Sequence, residues 1–402
     1  MSIRTVKLHS LPTYLTNLIP PEIYDQIISH LSKDRLSLNS CCLVCKAWLP
    51  TSRYWLFATS KVTVLRTNVD RFLELVDNRC NPCSIAPFIQ HLVLEQGGSN
   101  RLPFWGAYGN HEDFQFNDFL SQFDGLASLK SLRLGWIRAD IGPSVPIALR
   151  SNFHSLNELE LNSVVLSSVQ QFFDILGSLP RLVVLCLCGF SFEYEIMDGH
   201  IQDSTPLPPP LHTFNANVNE SITRFLFAWL AFHGMPTLHT VAFGLFSRQT
   251  NEGLSEYLRQ AGYYLRVLKI WDAYTAVGID LSPCLYLESL RLGWICLLPE
   301  LLPGSVTFAT EVLKTVNASC LEEVTIVIRL EKGAADELEA FDWDGLAAVL
   351  QRPCFRSLKR LTFSVSSYEK VVMKVAGEKL PMLSEKTLVV IRWTLSENSG
   401  RW

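Results

Sequence analysis

Two pairs of cysteines have the spacing of metal ligands. Two residues separate Cys42 from Cys45 and Cys80 from Cys83, and 34 residues lie between the pairs. Four thiolates so placed could hold a tetrahedral zinc ion. Their surroundings argue for a plainer role. Cys42 and Cys45 fall in an apolar helical stretch that explains them as packed thiols, and Cys80 to Cys83 lies in a connection ahead of Pro87. No metal and no cofactor is assigned. Cys186 and Cys188 stand two apart on an expected strand, so both leave the same face. Neighbouring free thiols account for them. Asp342 and Asp344 flank Trp343 as a helix cap or a solvated turn. The histidines are scattered without a paired acid at a useful spacing. G-x-S-x-G, H-E-x-x-H and the phosphate-binding P-loop are all absent. No catalytic residue is assigned. An enzyme built on this chain would need a pocket of clustered titratable groups.

The cysteines nearest the N-terminus belong to a set of short helices. Pro20 and Pro21 suit a helix start, and Glu22 favours the positive end of its dipole. Ile23, Ile27 and Leu31 recur four apart with Ile28 beside them, an apolar stripe on a short helix. Asp34 is placed to cap a second helix carrying Leu36 and Leu38. Leu43, Val44, Ala47 and Trp48 continue the apolar surface until Pro50 stops or bends the chain. Three short helices in about 40 residues bury little surface alone and need a partner or a larger domain to cover them.

This order of residues from Ile19 to Phe57 resembles an F-box, most closely the form common in mushroom-type fungi. Pro20, Pro21, Ile23, Ile27, Leu31, Leu36, Leu43, Val44, Cys45 and Trp48 match by position. Ile19 stands where leucine is usual, and Arg35 where an apolar residue is often found. The resemblance implies a docking segment that binds a Skp-type adaptor and through it a cullin, with the rest of the chain choosing a protein target. The other reading of the segment is a helical cap on the domain that follows.

The 402-residue chain has room for one large or several ordinary domains, and its hydrophobic share of 48% suits an extensive core. A net charge of −4 with dispersed Lys and Arg points to neither nucleic acid nor an acidic substrate. No secretory signal is visible, and the longest apolar run, Phe225 to Phe232, is too short to span a membrane. Eleven irregularly spaced cysteines fit reduced thiols in cytoplasm or nucleus better than a disulfide framework.

Beyond residue 88 a short pattern recurs: apolar, two of any kind, apolar, one of any kind, apolar. It appears as Ile89/Leu92/Leu94, Leu129/Leu132/Leu134, Leu156/Leu159/Leu161, Leu182/Leu185/Leu187 and Leu211/Phe214/Ala216. It returns as Leu238/Val241/Phe243, Leu265/Leu268/Ile270, Leu287/Leu290/Leu292, Leu321/Val324/Ile326 and Leu358/Leu361/Phe363. From Leu134 the third members fall at 161, 187, 216, 243, 270, 292, 326 and 363, in steps of 27, 26, 29, 27, 27, 22, 34 and 37. Five neighbouring steps lie near 27, inside the range of leucine-rich repeats, about 20–29 residues. The hexapeptide Leu-Arg-Leu-Gly-Trp-Ile occurs twice, at 132–137 and 290–295. Helices are expected at Asn117 to Phe123, Val169 to Leu176, Ser221 to Phe232, Gly253 to Ala261, Thr310 to Val316 and Gly345 to Leu350, with Asn117 and Ser221 as caps. Asn162 is the one candidate for the asparagine that often marks the turn after a repeat strand. The other reading of this pattern is a doubly wound α/β domain. The number of short strands and the missing glycine-rich phosphate loop weigh against it.

The expected architecture is therefore α/β. A three-helix F-box spans 12–60, a linker helix region 61–88, and an irregular leucine-rich-repeat solenoid 89–395. The solenoid carries a parallel β-sheet on one face and helices or loops on the other. Loop insertions are expected near 96–113, which holds Trp105 and Tyr108, and near 197–210. After Lys386, Thr387 to Leu395 would form a last strand or cap. Residues between the last two apolar positions point away from the core, so the candidate substrate face holds Arg133, Glu160, Asn215, Lys269 and Arg291, with Cys186, Ala242, Thr325 and Thr362 in the same row. Asn162, Asn217 and Trp271 extend it. The expected role is substrate recognition in a Skp-cullin-F-box type ubiquitin ligase, without catalysis by this chain. A solenoid binding protein outside any ligase is the first alternative, and an enzyme on a repeat scaffold the second.

Overall fold

The computed structural model describes residues 20–58, 60–77, 84–95, 120, 122–123, 125–139, 144–194, 207–245, 248–273, 278–296, 306–330, 338–365, 369–380 and 388–393. Three helices come first: α1 (Pro21–His30), α2 (Arg35–Val44) and α3 (Leu49–Ala58). Pro20 is the N-cap of α1 with proline in its first turn. The Asp34 side chain accepts from Leu36 N and Ser37 N at 3.1 Å each, which caps α2 as expected. Pro50 does not end a helix. It lies in the first turn of α3, where its missing N–H costs no intrahelical bond.

Every further repeat contributes a strand to one sheet. The strands are β1 (Lys61–Leu65), β2 (His91–Glu95), β3 (Ser131–Gly135), β5 (Glu158–Asn162), β7 (Val184–Cys188), β9 (Thr213–Asn217), β10 (Thr240–Leu245), β11 (Val267–Ala273), β12 (Ser289–Cys296), β13 (Glu323–Arg329), β14 (Arg360–Val365) and β15 (Leu388–Trp393). They form a 12-stranded sheet in which each strand is hydrogen-bonded to the next in chain order, all in parallel. Nearest-neighbour stacking of this kind makes the fold solenoid-like rather than doubly wound, where the strand order reverses. The sheet begins earlier than expected. Residues 61–88 are not a helical linker alone, because Lys61 to Leu65 pair with His91 to Glu95. Among the described residues, Val69–Val76 forms the α-helix there, α4.

A recurring joint ties one repeat to the next. From β2 to β13 of the large sheet, the carbonyl just before the strand accepts two N–H groups from the following repeat. Gln90 O takes Lys130 N and Ser131 N, Lys130 O takes Asn157 N and Glu158 N, and the pattern continues to Glu322 O with Lys359 N and Arg360 N. A second joint closes three of the strands. Trp136, Ser163 and Gly189 have φ of 57°, 54° and 57°. Their N–H groups donate to Asn162 O, Cys188 O and Asn217 O at 2.9, 2.6 and 2.8 Å. Asn162 thus serves this turn with its backbone carbonyl, while its side-chain Oδ1 accepts from Ser163 Oγ at 3.2 Å. Just past these turns, β4 (Arg138–Ala139), β6 (Val165–Leu166) and β8 (Ser191–Phe192) form a small parallel sheet.

The leucine triplets line the core. Leu132, Leu159, Leu185, Phe214, Val241, Leu268, Leu290, Val324 and Leu361 occupy one row of paired positions and are all buried. Helices cover that row: α5 (Ser144–Asn152), α6 (Val169–Gly177), α7 (Glu220–His233), α8 (Arg248–Ala261), α9 (Phe308–Thr315), α10 (Trp343–Leu350) and α11 (Glu369–Lys379). The wide apolar face expected on α7 is present, and its Trp229 packs against Phe172 and Phe173 at 5.9 and 5.8 Å. The cap of α7 is Asn219 and not Ser221, since Asn219 Oδ1 accepts from Ile222 N at 3.0 Å. The expected Asn117 cap, the 96–113 insertion with Trp105 and Tyr108, Ile19, Cys80, Cys83 and most of the 197–210 insertion lie outside the described residues.

Candidate functional site

The N-terminal helices divide their apolar side chains in two. α3 touches both α1 and α2, and Tyr24 packs on Trp48 with ring centroids 5.7 Å apart. Thr51 donates to the Asp25 carboxylate, a further tie between α1 and α3. This packing buries Ile28 and Leu38 completely, and Cys41 nearly so. α3 also meets the 3-10 turn Ala86–Phe88, which seats the helices on the first repeats. The remaining large residues face outward. Leu36 is 80% exposed and Leu43 88%, with Ile23, Ile27 and Val44 each about half exposed. Pro20 and Pro21 are exposed as well, while Leu31, Cys45 and Trp48 are half-buried. Single exposed leucines are ordinary. Five large apolar side chains left uncovered between residues 23 and 44 make a surface that favours a partner.

The second surface is the sheet face opposite the helices. In-register pairing aligns Thr63, Val93, Arg133, Glu160, Cys186, Asn215, Ala242, Lys269, Arg291, Thr325, Thr362 and Val390 in one continuous row. The row is less open than its outward direction implies. Arg133, Glu160, Cys186, Asn215, Lys269, Arg291 and Thr325 are half-buried, and Ala242 and Thr362 are buried. Strands about 4.8 Å apart set these side chains shoulder to shoulder, so each covers its neighbours. Of the three further positions, Asn217 is exposed and Asn162 and Trp271 are half-buried.

Charge along the row is paired across strands at one end. Arg133 Nη1 meets Glu160 Oε1 at 3.3 Å across β3 and β5. Asn215 Nδ2 donates to Cys186 Sγ at 3.3 Å, and burial pushes the Cys186 thiol up to about 11, so it stays protonated and inert near neutral pH. Lys269 on β11 is paired instead with Arg291 on β12. Burial first, and Arg291 second, hold the Lys269 ammonium below its ordinary pKa. The Arg291 guanidinium lies over the Trp271 ring, 4.6 Å from its centroid.

Of the two cysteine pairs only Cys42 and Cys45 are described, since Cys80 and Cys83 lie outside the described residues. Burial raises the Cys41 and Cys42 thiols, which suits packed thiols. Among the described residues, no group of three or more His, Cys, Asp or Glu side chains is placed to hold a metal ion. Asp342 caps α10, accepting from Gly345 N at 3.0 Å. No described helix is long and apolar enough to cross a membrane.

Fold and surfaces define a parallel-sheet solenoid carrying a helical N-terminal unit with uncovered apolar side chains. No protein-family model matches the chain, and no curated protein does. Among solved structures it is similar to a chain of the Rad7 and Elc1 complex from yeast. The two are 14% identical, with a TM-score of 0.37, over 96% of this chain and 88% of that one.

Proposed function

We propose that this chain is a non-catalytic substrate-recognition adaptor of a Skp-cullin-F-box type ubiquitin ligase. In this reading α1 to α3 dock a Skp-type adaptor, which links to a cullin, and the solenoid holds a protein target. The supporting observation is the split on the N-terminal helices. Ile28, Leu38 and Cys41 suffice to pack them, while Ile23, Ile27, Leu36, Leu43 and Val44 remain outside. A helical cap serving only the solenoid would turn that second set inward. The resemblance of residues 19–57 to an F-box names the partner that such a surface would take. Pro20, Pro21, Leu31, Cys45 and Trp48 complete the docking set, with Leu31, Cys45 and Trp48 shaping it from half-buried positions.

The mechanism is one of proximity. Tethering a bound target near a loaded ubiquitin carrier raises its effective concentration, and no side chain of this chain need take part in the chemistry. Seating of α3 on the first repeats favours this, because a stiff joint spreads the target over less volume. The test is co-expression of the full chain with a Skp-type adaptor, beside a variant carrying Ile23→Asp and Leu43→Asp. The parent should co-purify with the adaptor and the variant should lose it while keeping its melting temperature. A folded parent that captures no adaptor would leave the chain as a solenoid binding protein outside any ligase.

A further inference from the structure

Two neighbouring turns carry aromatic side chains that the core does not use. The residue directly ahead of the leading apolar position is Ser128, Ser155, Thr237, Cys320 or Ser357 in five repeats, and Tyr264 and Tyr286 in two adjacent ones. The 3-10 turn Gly262–Tyr264 leads into β11, and residues 283–287 lead into β12. A Cβ at Gly262 would lie 3.0 Å from Cys284 Sγ and 3.4 Å from Pro283 Cβ, so glycine there lets the two turns close on each other. Tyr263 then meets Tyr286 edge to face with ring centroids 4.8 Å apart, and Tyr264 meets Tyr263 in the same way at 5.6 Å. Tyr263 Oη donates to Tyr286 Oη at 3.2 Å, which uses one of the two hydroxyl protons and leaves the other to a ligand. The side chains stay largely outside all the same. Tyr263, Tyr264, Leu285 and Tyr286 are 51%, 39%, 46% and 49% exposed.

Half-exposed side chains of this size leave about 100 Å² each, so the four make a patch of about 400 Å². That is half of the roughly 800 Å² per partner that a stable dimer or a complex of folded proteins needs. Arg266 and Glu288, two residues beyond Tyr264 and Tyr286, pair with each other at 2.5 Å, so the border of the patch selects neither charge. A small, uncharged aromatic patch with a hydroxyl proton to donate suits a ligand that is short, apolar and ordered before it binds. A polyproline II segment has all three properties. Its ordering cost is low, its rings pack on aromatic faces, and its carbonyls make no internal hydrogen bonds. We propose that Tyr263, Tyr264, Leu285 and Tyr286 form a docking platform for a proline-rich segment of a partner protein, bound in the polyproline II conformation. The platform sits at the entrances of β11 and β12, far along the sheet from α1 to α3, and does not depend on the adaptor-docking reading.

The test uses the full chain and two immobilised libraries of short peptides. One has proline fixed at every third position and the other alanine, with the remaining positions degenerate. Three residues per turn put such prolines on one face of the segment. The proline library should retain about tenfold more protein than the alanine library. Tyr263→Ser with Tyr286→Ser should erase that excess while the chain stays folded, because these rings lie outside the core. Tyr264→Ser, which leaves the hydroxyl pair in place, should lower the excess by about threefold, and it decides the matter if the double variant fails to fold. Equal retention by the two libraries, or a full excess in the folded double variant or in Tyr264→Ser, would overturn the proposal. So would a dimer of the parent in light scattering that the double variant dissolves, since a second copy would then occupy the patch. Adaptor capture should be unchanged in both variants, and its failure in the parent would bear only on the ligase reading.

Discussion

Truncating Leu36 and Leu43 should cost binding and spare folding. Leu36 is 80% exposed and Leu43 88%, so neither contributes appreciable burial to the free chain. Fully burying a leucine side chain is worth roughly 1.5–3 kcal/mol. A partner that covers both recovers most of that at each site, and truncation to alanine forfeits nearly all but the β-carbon's share. The double variant Leu36→Ala/Leu43→Ala should therefore weaken adaptor binding by about 3–4 kcal/mol, or two to three decades in Kd. Its folding stability should stay within about 0.5 kcal/mol of the parent, as for surface substitutions.

Ile28 supplies the opposite control. It is the fully buried residue on the inner face of α1, so Ile28→Ala should lower stability by about 2–5 kcal/mol. Titration calorimetry against a purified Skp-type adaptor, together with urea unfolding, reads both quantities. A double variant that binds within about threefold of the parent, under 1 kcal/mol, would show that these leucines are not the docking surface. A double variant that loses more than about 1.5 kcal/mol of stability would show that the chain itself covers them.

Tyr257 is fully buried, its hydroxyl has no hydrogen-bond partner among the described residues, and burial holds that phenol well above its ordinary pKa. Tyr257→Phe should leave the melting temperature unchanged or raise stability by about 1 kcal/mol, and a clear loss would reveal a hidden partner. The Asp34 carboxylate is held below its ordinary pKa, first by the Ser37 hydroxyl and then by the Ser37 N–H. A carboxylate depressed in the fold stabilises it fully above the unfolded pKa and progressively less as pH falls through the folded one. The urea-midpoint gap between the parent and Asp34→Asn should thus be widest near neutral pH and close in acid, and a gap that widens in acid would reverse the reasoning. At Gly293 an added Cβ would lie 2.9 Å from Trp271 O and 3.0 Å from Ile270 O, both backbone atoms. At Gly135 it would meet only the flexible Glu95 side chain, at 3.0 Å. Gly293→Ala should cost about 1–3 kcal/mol in thermal or urea unfolding and Gly135→Ala distinctly less, and equal costs would refute this reading of the two sites.

Those two glycines show what the sequence carried and what it did not. They occupy the same place in the repeated hexapeptide Leu-Arg-Leu-Gly-Trp-Ile, and the leucines and isoleucine of both copies are buried, as the periodicity requires. The backbones differ. β3 ends at Gly135 and Trp136 turns at φ 57°, whereas β12 runs through to Cys296 with a register shift between Leu292 and Ile295. Six residues set which side chains go inward. The neighbouring repeat sets where the strand stops, and it is remote in sequence. Other misses have local causes. β1 lacks the leading apolar residue of the triplet, since Thr59 stands three before Val62. α5 contains Pro146, which reads as a breaker although it sits in the first turn, where proline is tolerated. α11 is polar enough to hide its buried Val372 and Ala376, four apart.

The candidate surfaces were legible to different depths for the same reason. Spacing along one chain segment marked the apolar residues of α1 and α2, but only packing decided that Ile28 goes in while Ile27 stays out. Alternation along a strand placed Lys269 and Arg291 on the outward face, but only the register of β11 against β12 made them partners. A lysine and an arginine 22 positions apart look like ordinary surface charge in the sequence. Brought together half-buried, they are neighbours only because eleven of the strands lie in register with the one before, which no stretch of one repeat could announce.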